Sequence, residues 1–133
     1  MPVFSERSII KLRTCDPLLV NLFLTVVAEF DCTILCGRRS QLEQDEAYHR
    51  GLSKLLFPHS RHNKTPSEAV DVVPYPIDWN DKERFYYFAG FVKGMAAERK
   101  TPIRWGGDWD NDTDLKDQTF LDLCHFELLD RRW

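Results

Sequence analysis

The chain has 133 residues, of which 43% are hydrophobic, 29% charged and 13% aromatic, and its formal net charge is −3. That length and balance describe one domain able to bury a core without disulfide staples. The negative charge excludes the broad basic field of a nucleic-acid or anionic-membrane binder, and the pairs Arg38–Arg39 and Arg131–Arg132 are too short to restore one.

No basic stretch followed by a long apolar core opens the chain, so no secretion signal is expected. The most apolar run, LLVNLFLTVVAEF, holds Asn21 and Glu29 and is too short to cross a bilayer. A soluble cytosolic chain is expected, with Cys15, Cys32, Cys36 and Cys124 as thiols and not disulfides.

The first predicted helix follows Asp16, a suitable N-cap, with Pro17 at its first position. Leu18, Leu19, Leu22, Phe23, Val26, Val27 and Phe30 fall on one face of it. CTILC reads as a short strand ended by Gly37. A second helix begins after Ser40, with Glu43 three residues on as a capping box, and stops at Gly51. FPHSRHNKTPSE is a polar, turn-rich loop, and AVDVV is a strand stopped by PYP. A third helix starts from Asn80 as cap, with Glu83 behind it and Phe85, Phe88, Val92 and Met95 as its buried stripe. PIRW is a short strand, GGDWDNDTD an acidic loop, and LCHFELL an alternating final strand. Helices and strands mix without a βαβ rhythm. The expected fold class is α+β, a small antiparallel sheet with about three helices.

Asp71 interrupts the apolar strand AVDVV. A carboxylate there is either paired or metal-bound, or it faces solvent from an edge strand, and the segment alone leaves both open. Along the final strand, His125 and Glu127 share the face opposite Phe126 and Leu128. Together with His62 from the polar loop, Asp71 and His125 have the residue types of a catalytic zinc site, which takes three protein ligands and leaves one position for water, but each histidine alone reads equally as a hydrogen-bonded or exposed side chain, and spacing leaves both open. Such a site needs a base that is not a ligand. Asp122, three residues before His125, is one candidate and Glu127 the other. Arg39, after the first strand, could hold a substrate carboxylate or a developing oxyanion.

Three other patterns are weaker. Cys32 and Cys36 flank a strand with no second cysteine pair, so they are not expected to bind metal. Cys124 and His125 are neighbours on a strand and point to opposite faces, which excludes a thiol dyad. Asp108, Asp110 and Asp112 have calcium-loop spacing, but Thr113 and Thr119 stand where that loop needs glycine and glutamate, so a standard calcium loop is not expected.

SRHNKTPSEAVD resembles the Ser-x-His-x-x-Gly-x-Ala-x-Asp signature of the zinc D-Ala-D-Ala carboxypeptidase and L-alanyl-D-glutamate peptidase superfamily, and DLCHFEL resembles its Asp-x-x-His block. GRRSQLEQDEAYHRG and RWGGDW resemble further segments of the phage endolysin branch. The resemblance implies a hedgehog-like fold and one catalytic domain over residues 1–133, with no separate wall-binding domain. It implies Zn2+ held by His62, Asp71 and His125, with Asp122 as base and Arg39 steadying substrate or transition state. Ser60, Trp105 and Glu127 would touch substrate or support the ligands. The implied reaction is hydrolysis of the L-Ala–D-Glu bond of peptidoglycan stem peptides. A D,D-carboxypeptidase and a zinc-stabilised wall-peptide-binding module are the alternatives, and Asp122 argues against the second. The implied setting is a monomer that inserts into no membrane and waits in the host cytoplasm. A holin then releases it to act on the wall from the periplasm. The sequence departs from the signature in two places. Asp71 lies nine positions after His62 where the signature has seven, with its glycine absent, and Cys124 stands where proline is common.

Overall fold

A computed structural model describes residues 1–129, so the pair Arg131–Arg132 lies outside the described residues. The elements in chain order are α1 (Glu6–Leu12), α2 (Pro17–Glu29), β1 (Cys32–Cys36), α3 (Gln41–His49), a 3-10 turn (Arg61–Asn63), β2 (Ala69–Pro74), α4 (Lys82–Glu98), β3 (Ile103–Gly106) and β4 (Asp122–Leu128).

The expected helices form where their caps put them. Asp16 accepts a hydrogen bond from Leu18 N at 2.9 Å to start α2, and Ser40 and Glu43 close a reciprocal capping box on α3. Helix α4 begins one residue later than expected. Asp81, not Asn80, is its cap and accepts from Arg84 N at 3.2 Å, while Asn80 N donates to Asp78. Met95 is only half-buried, and Ala89 and Ala96 complete the inner stripe. Helix α1 was not expected. It is seven residues long, too short for periodicity to show. Tertiary contacts hold it instead, with Leu12 buried in the core and Ser8 Oγ accepting from Ile34 N at 3.1 Å.

The four strands are antiparallel in the order β1-β2-β4-β3. Strand β2 is therefore interior and buried along its whole length, so Asp71 is no solvent-facing residue of an edge strand. Alternation sorts the two central strands. Val70, Val72, Phe126 and Leu128 join the main core with α2 and α4. The Phe126 ring lies edge-on to Phe23 of α2 at 5.5 Å and to Phe88 of α4 at 6.1 Å. Asp71, His125 and Glu127 are then left together on the other face. The β2–β4 register sets Asp71 directly opposite His125.

Gly37, just after β1, is forced by a close approach. A Cβ there would meet Thr14 Oγ1 at 2.2 Å and Lys11 O at 2.3 Å. The backbone that passes through this gap carries the carbonyl that orients His62.

Candidate metal centre

His62 comes from the polar loop, and the loop is built to fix it. Ser60 Oγ accepts from His62 N at 3.2 Å, and Ser60 N donates to Asn63 Oδ1 at 3.0 Å, which winds the segment into its 3-10 turn. Glu68 N donates to Arg61 O at 3.1 Å, closing the loop whose extra two residues depart from the signature. Across the cleft, Arg39 N donates to His62 O at 2.8 Å and joins the end of β1 to the same turn. The His62 side chain is 1% exposed.

Three donor atoms converge. His62 Nε2 lies 3.2 Å from Asp71 Oδ1 and 3.2 Å from His125 Nδ1, and His125 Nδ1 lies 3.2 Å from Asp71 Oδ1. Ligands about 2.0–2.1 Å from a tetrahedral zinc ion stand roughly 3.3–3.4 Å from one another, so this triangle has the size of one face of such a site. The chemistry of the donors agrees with borderline-soft zinc. Each donor is also braced from behind. His62 Nδ1 donates to Gly37 O at 2.7 Å, His125 Nε2 donates to Glu127 Oε1 at 2.8 Å, and Arg39 Nη2 donates to Asp71 Oδ2 at 3.1 Å. With each ring neutral, the carbonyl and the carboxylate would take its one N–H and leave the other nitrogen toward the triangle.

The electrostatics follow from burial and proximity. Burial opposes charge on His62, but Asp71 outweighs it and raises the His62 pKa to about 10. His125 is raised in the same way, against burial, by its bonds to Asp71 and Glu127. Asp71 is lowered despite its own burial by the two histidines. Asp122 lines the same cleft, and burial first, then the Asp71 charge, raises its pKa. Glu127 is the opposite case. Burial would raise it, but His125 and Arg104 hold it down to about 2. Both its oxygens are engaged, Oε1 by His125 and Oε2 by Arg61 and Arg104.

The cleft has a volume of about 570 Å3 and brings Arg39, Ser60, His62, Asp122, His125 and Glu127 together. Trp105 is not among them. Its indole is buried in the core, with Nε1 donating to Leu123 O at 2.8 Å. The cleft-lining indole is Trp109, whose ring lies 5.3 Å from His125 and whose Nε1 donates to Phe120 O at 2.6 Å. Arg61, Arg104 and Gln44 were also missed. Arg104 was within reach of alternation: its neighbour Trp105 faces the core, so it faces the site, opposite Glu127 in the register.

The carboxylates of Asp108, Asp110 and Asp112 do gather. Those of Asp108 accept from the backbone of Asp112 at 3.3 Å and Thr113 at 2.9 Å, as in a self-contained turn. Cys32 and Cys36 stand at opposite ends of β1 and all four cysteines are free.

Two imidazoles and one carboxylate, braced from behind in an open cleft beside a second carboxylate of raised pKa, make a triad that could hold a metal ion, consistent with a metallopeptidase. Comparison with known proteins gives the class its name. The model of the phage L-alanyl-D-glutamate peptidase family matches residues 2–129, and the chain belongs to that family. Its activity is that of an L-alanyl-D-glutamate peptidase of the phage endolysin type. Among solved structures, the L-Ala D-Glu endopeptidase ChiX of Serratia marcescens is similar, with 28% identity and a TM-score of 0.76, over 96% of this chain and 91% of that one. No curated protein sequence matches.

Proposed function

We propose that the chain cleaves the L-Ala–D-Glu bond as a zinc endopeptidase, with His62, Asp71 and His125 as ligands, Asp122 as base and Arg39 as the charge-stabilising group. The observation that carries this is the triangle of three donor atoms with 3.2 Å sides, each donor held by its own outer partner. When bound, zinc would acidify a water and polarise the scissile carbonyl.

The chain's own groups supply the rest. Gly37 and Glu127 keep one N–H on each imidazole and leave the other nitrogen free to ligate. Asp122 takes a proton from the attacking water at a carboxylate oxygen and delivers it to the leaving amine nitrogen. Its raised pKa makes it the better acceptor of the two candidates, whereas Glu127, fully paired and lowered to about 2, holds His125 in place. Arg39 is oriented by Asp71 Oδ2 at 3.1 Å and by Gln44 Oε1 at 3.2 Å. Its remaining N–H groups can meet negative charge as it grows on the carbonyl oxygen. Ser60 acts through His62, by capping the turn that carries it.

Endolysins of this family act on the cell wall, and no described helix is long and apolar enough to cross a membrane. We read the chain as one catalytic domain, working as a monomer, held in the host cytoplasm until a holin opens the way to the periplasm. The test is the product. Digestion of purified peptidoglycan should expose a new D-Glu amino group, seen by end-group labelling and mass spectrometry, and a chelator should stop it until zinc is restored. Release of free D-Ala with no new D-Glu amine would overturn the reading.

A further inference from the structure

We propose that Arg61 and Arg104 form a second subsite in the cleft, which takes a free carboxylate of the stem peptide on the leaving-group side of the scissile bond. This rests on the L-Ala–D-Glu reading above. The two arginines come from separate segments, one beside His62 in the 3-10 turn and one on β3, yet they meet on one oxygen. Arg61 Nε lies 2.9 Å and Arg104 Nη2 2.7 Å from Glu127 Oε2. The acid lies beneath them: its side chain is 7% exposed, while those of Arg61 and Arg104 are 31% and 32% exposed. All three residues line the cleft.

The charges do not balance at that point. One carboxylate between two guanidinium groups neutralises one of them, and a brace for His125 needs only one. Arg61 Nη1 also lies 3.1 Å from Glu68, whose side chain is 39% exposed, where water screens most of the attraction. An anion entering the cleft therefore meets a surplus positive charge at a partly desolvated wall. The donors are there to meet it. Each guanidinium carries five N–H groups, and the contacts to Glu127, Glu68 and Trp109 O use only part of them. The arginines are also held rigidly. The Arg104 guanidinium stands 5.7 Å from the Trp109 ring centroid and donates to the Trp109 carbonyl at 3.2 Å. Such pre-organisation suits Arg for planar recognition of a carboxylate.

The position also fits. One imidazole, one carboxylate and two hydrogen bonds separate the donor triangle from the guanidinium groups, a path on the order of 10 Å at full stretch. In the stem peptide the D-Glu residue continues the chain through its side-chain carboxyl, so its α-carboxylate is free and two bonds from the scissile nitrogen. The other side of the bond, L-Ala and the lactyl group, offers no carboxylate. The subsite thus fixes the direction in which the peptide lies, with the leaving amine toward the arginines. The diaminopimelate residue that follows carries a second free carboxylate, and the two sources can be told apart.

The experiment compares three synthetic muramyl tetrapeptides, with diaminopimelate as the third residue, using the zinc-loaded full chain: one unmodified, one amidated at the D-Glu α-carboxylate, and one amidated at the diaminopimelate carboxylate that is not in a peptide bond. Amidation of the bound carboxylate should lower kcat/KM about 10- to 100-fold, mostly through KM. The position that produces the loss identifies the carboxylate. In Arg104→Gln the same pair of substrates should differ by less than about threefold, with Arg61→Gln as a second variant if the first does not fold or hold zinc. The proposal is overturned if the wild type cuts all three substrates within about threefold of one another, or if an active arginine variant keeps the full discrimination. Absence of cleavage at the L-Ala–D-Glu bond in every substrate would instead overturn the bond assignment on which the proposal rests.

Discussion

Gln44 looks like a surface residue of a polar helix, yet its side chain is fully buried and makes four hydrogen bonds. Its Oε1 accepts from Arg39 Nη1 at 3.2 Å and Asn63 Nδ2 at 3.3 Å. Its Nε2 donates to Ser53 Oγ at 2.9 Å and Leu55 O at 2.7 Å. Gln44→Met keeps the volume and removes all four. Ser53 and Leu55 can turn to water, so their loss is cheap. Arg39 and Asn63 are left with buried N–H groups facing a thioether. At about 1 kcal/mol for each lost bond, with a further penalty for the two stranded donors, the variant should lose roughly 2–4 kcal/mol of stability. For a domain of this size that is a fall in Tm of about 8–15 °C. The effect on catalysis separates from the effect on folding. Zinc content should stay at the wild-type level, because Arg39 keeps Asp71. The kcat should fall about tenfold as the guanidinium loses one of its two anchors. Scanning calorimetry, elemental analysis and steady-state kinetics at a temperature where the variant is folded would read the three quantities. A Tm within about 2 °C of wild type, together with an unchanged kcat, would refute both the buried network and the positioning of Arg39.

Four further outcomes are expected. His62→Ala, Asp71→Ala and His125→Ala should each lose the zinc, about one ion per wild-type chain by elemental analysis; full occupancy in all three would displace the ligand set. Asp122→Asn should keep zinc and fold while losing about 10²- to 10⁴-fold in kcat; zinc loss would make it a ligand, and full activity with a dead Glu127→Gln would move the role to Glu127. Phe126→Ala removes a ring lodged between α2 and α4 and should destabilise by about 3–5 kcal/mol in denaturant titration, and a change below about 1 kcal/mol would contradict the packing. In the ion-free protein His62 is raised from 6.5 to about 10, so its contribution is full below pH 6.5 and is lost as pH rises toward 10. Zinc needs the neutral ring, so its binding strengthens over the same window. The Tm gain on adding zinc should therefore be larger near pH 9 than near pH 6, and an equal gain at both would count against the coupling.

The sequence made the central part of the fold legible because local and tertiary signals agree there. Helix α2 has a cap, a proline and a full apolar stripe, so its face toward the sheet follows from spacing alone. The alternation in β4 put His125 and Glu127 opposite Phe126, and the structure keeps that division. What spacing could not supply was strand order. Whether Asp71 lay in an interior or an edge strand depends on β4 inserting between β2 and β3, a contact made 54 residues away. Helix α1 was missed because its seven residues carry no periodic stripe and hold their shape through Leu12 and Ser8. The shift of the α4 cap from Asn80 to Asp81 is a contest between two good capping residues, and Asn80 is engaged by Asp78.

The outer part of the site was harder to read for a physical reason. The proposed ligands are rare residue types in unusual places, so two histidines and a buried aspartate stand out. The residues that brace them are common types whose role lies wholly in their partners. Gln44 sits in the run QLEQDEAYH, where the adjacent Glu43 and Asp45 argue for solvent. Burial comes from the loop at Ser53 and Leu55 folding over it. Trp105 and Trp109 have one side-chain chemistry and opposite fates. Trp105 follows β3 into the core, whereas the turn closed by Asp108 N on Trp105 O at 3.0 Å re-aims the chain and sets Trp109 against His125. Arg61 and Arg104 are the instructive pair. A lone arginine beside a histidine or on a strand argues for nothing. Only the shared contact on Glu127 Oε2 shows that two cations meet on one buried carboxylate, with the exposed Glu68 beside Arg61 alone. That excess of charge is invisible to any reading along the chain, because it is a property of three segments meeting. It is also the feature from which the proposed direction of substrate binding follows, since an acid on one side of the scissile bond is drawn toward the paired guanidinium groups.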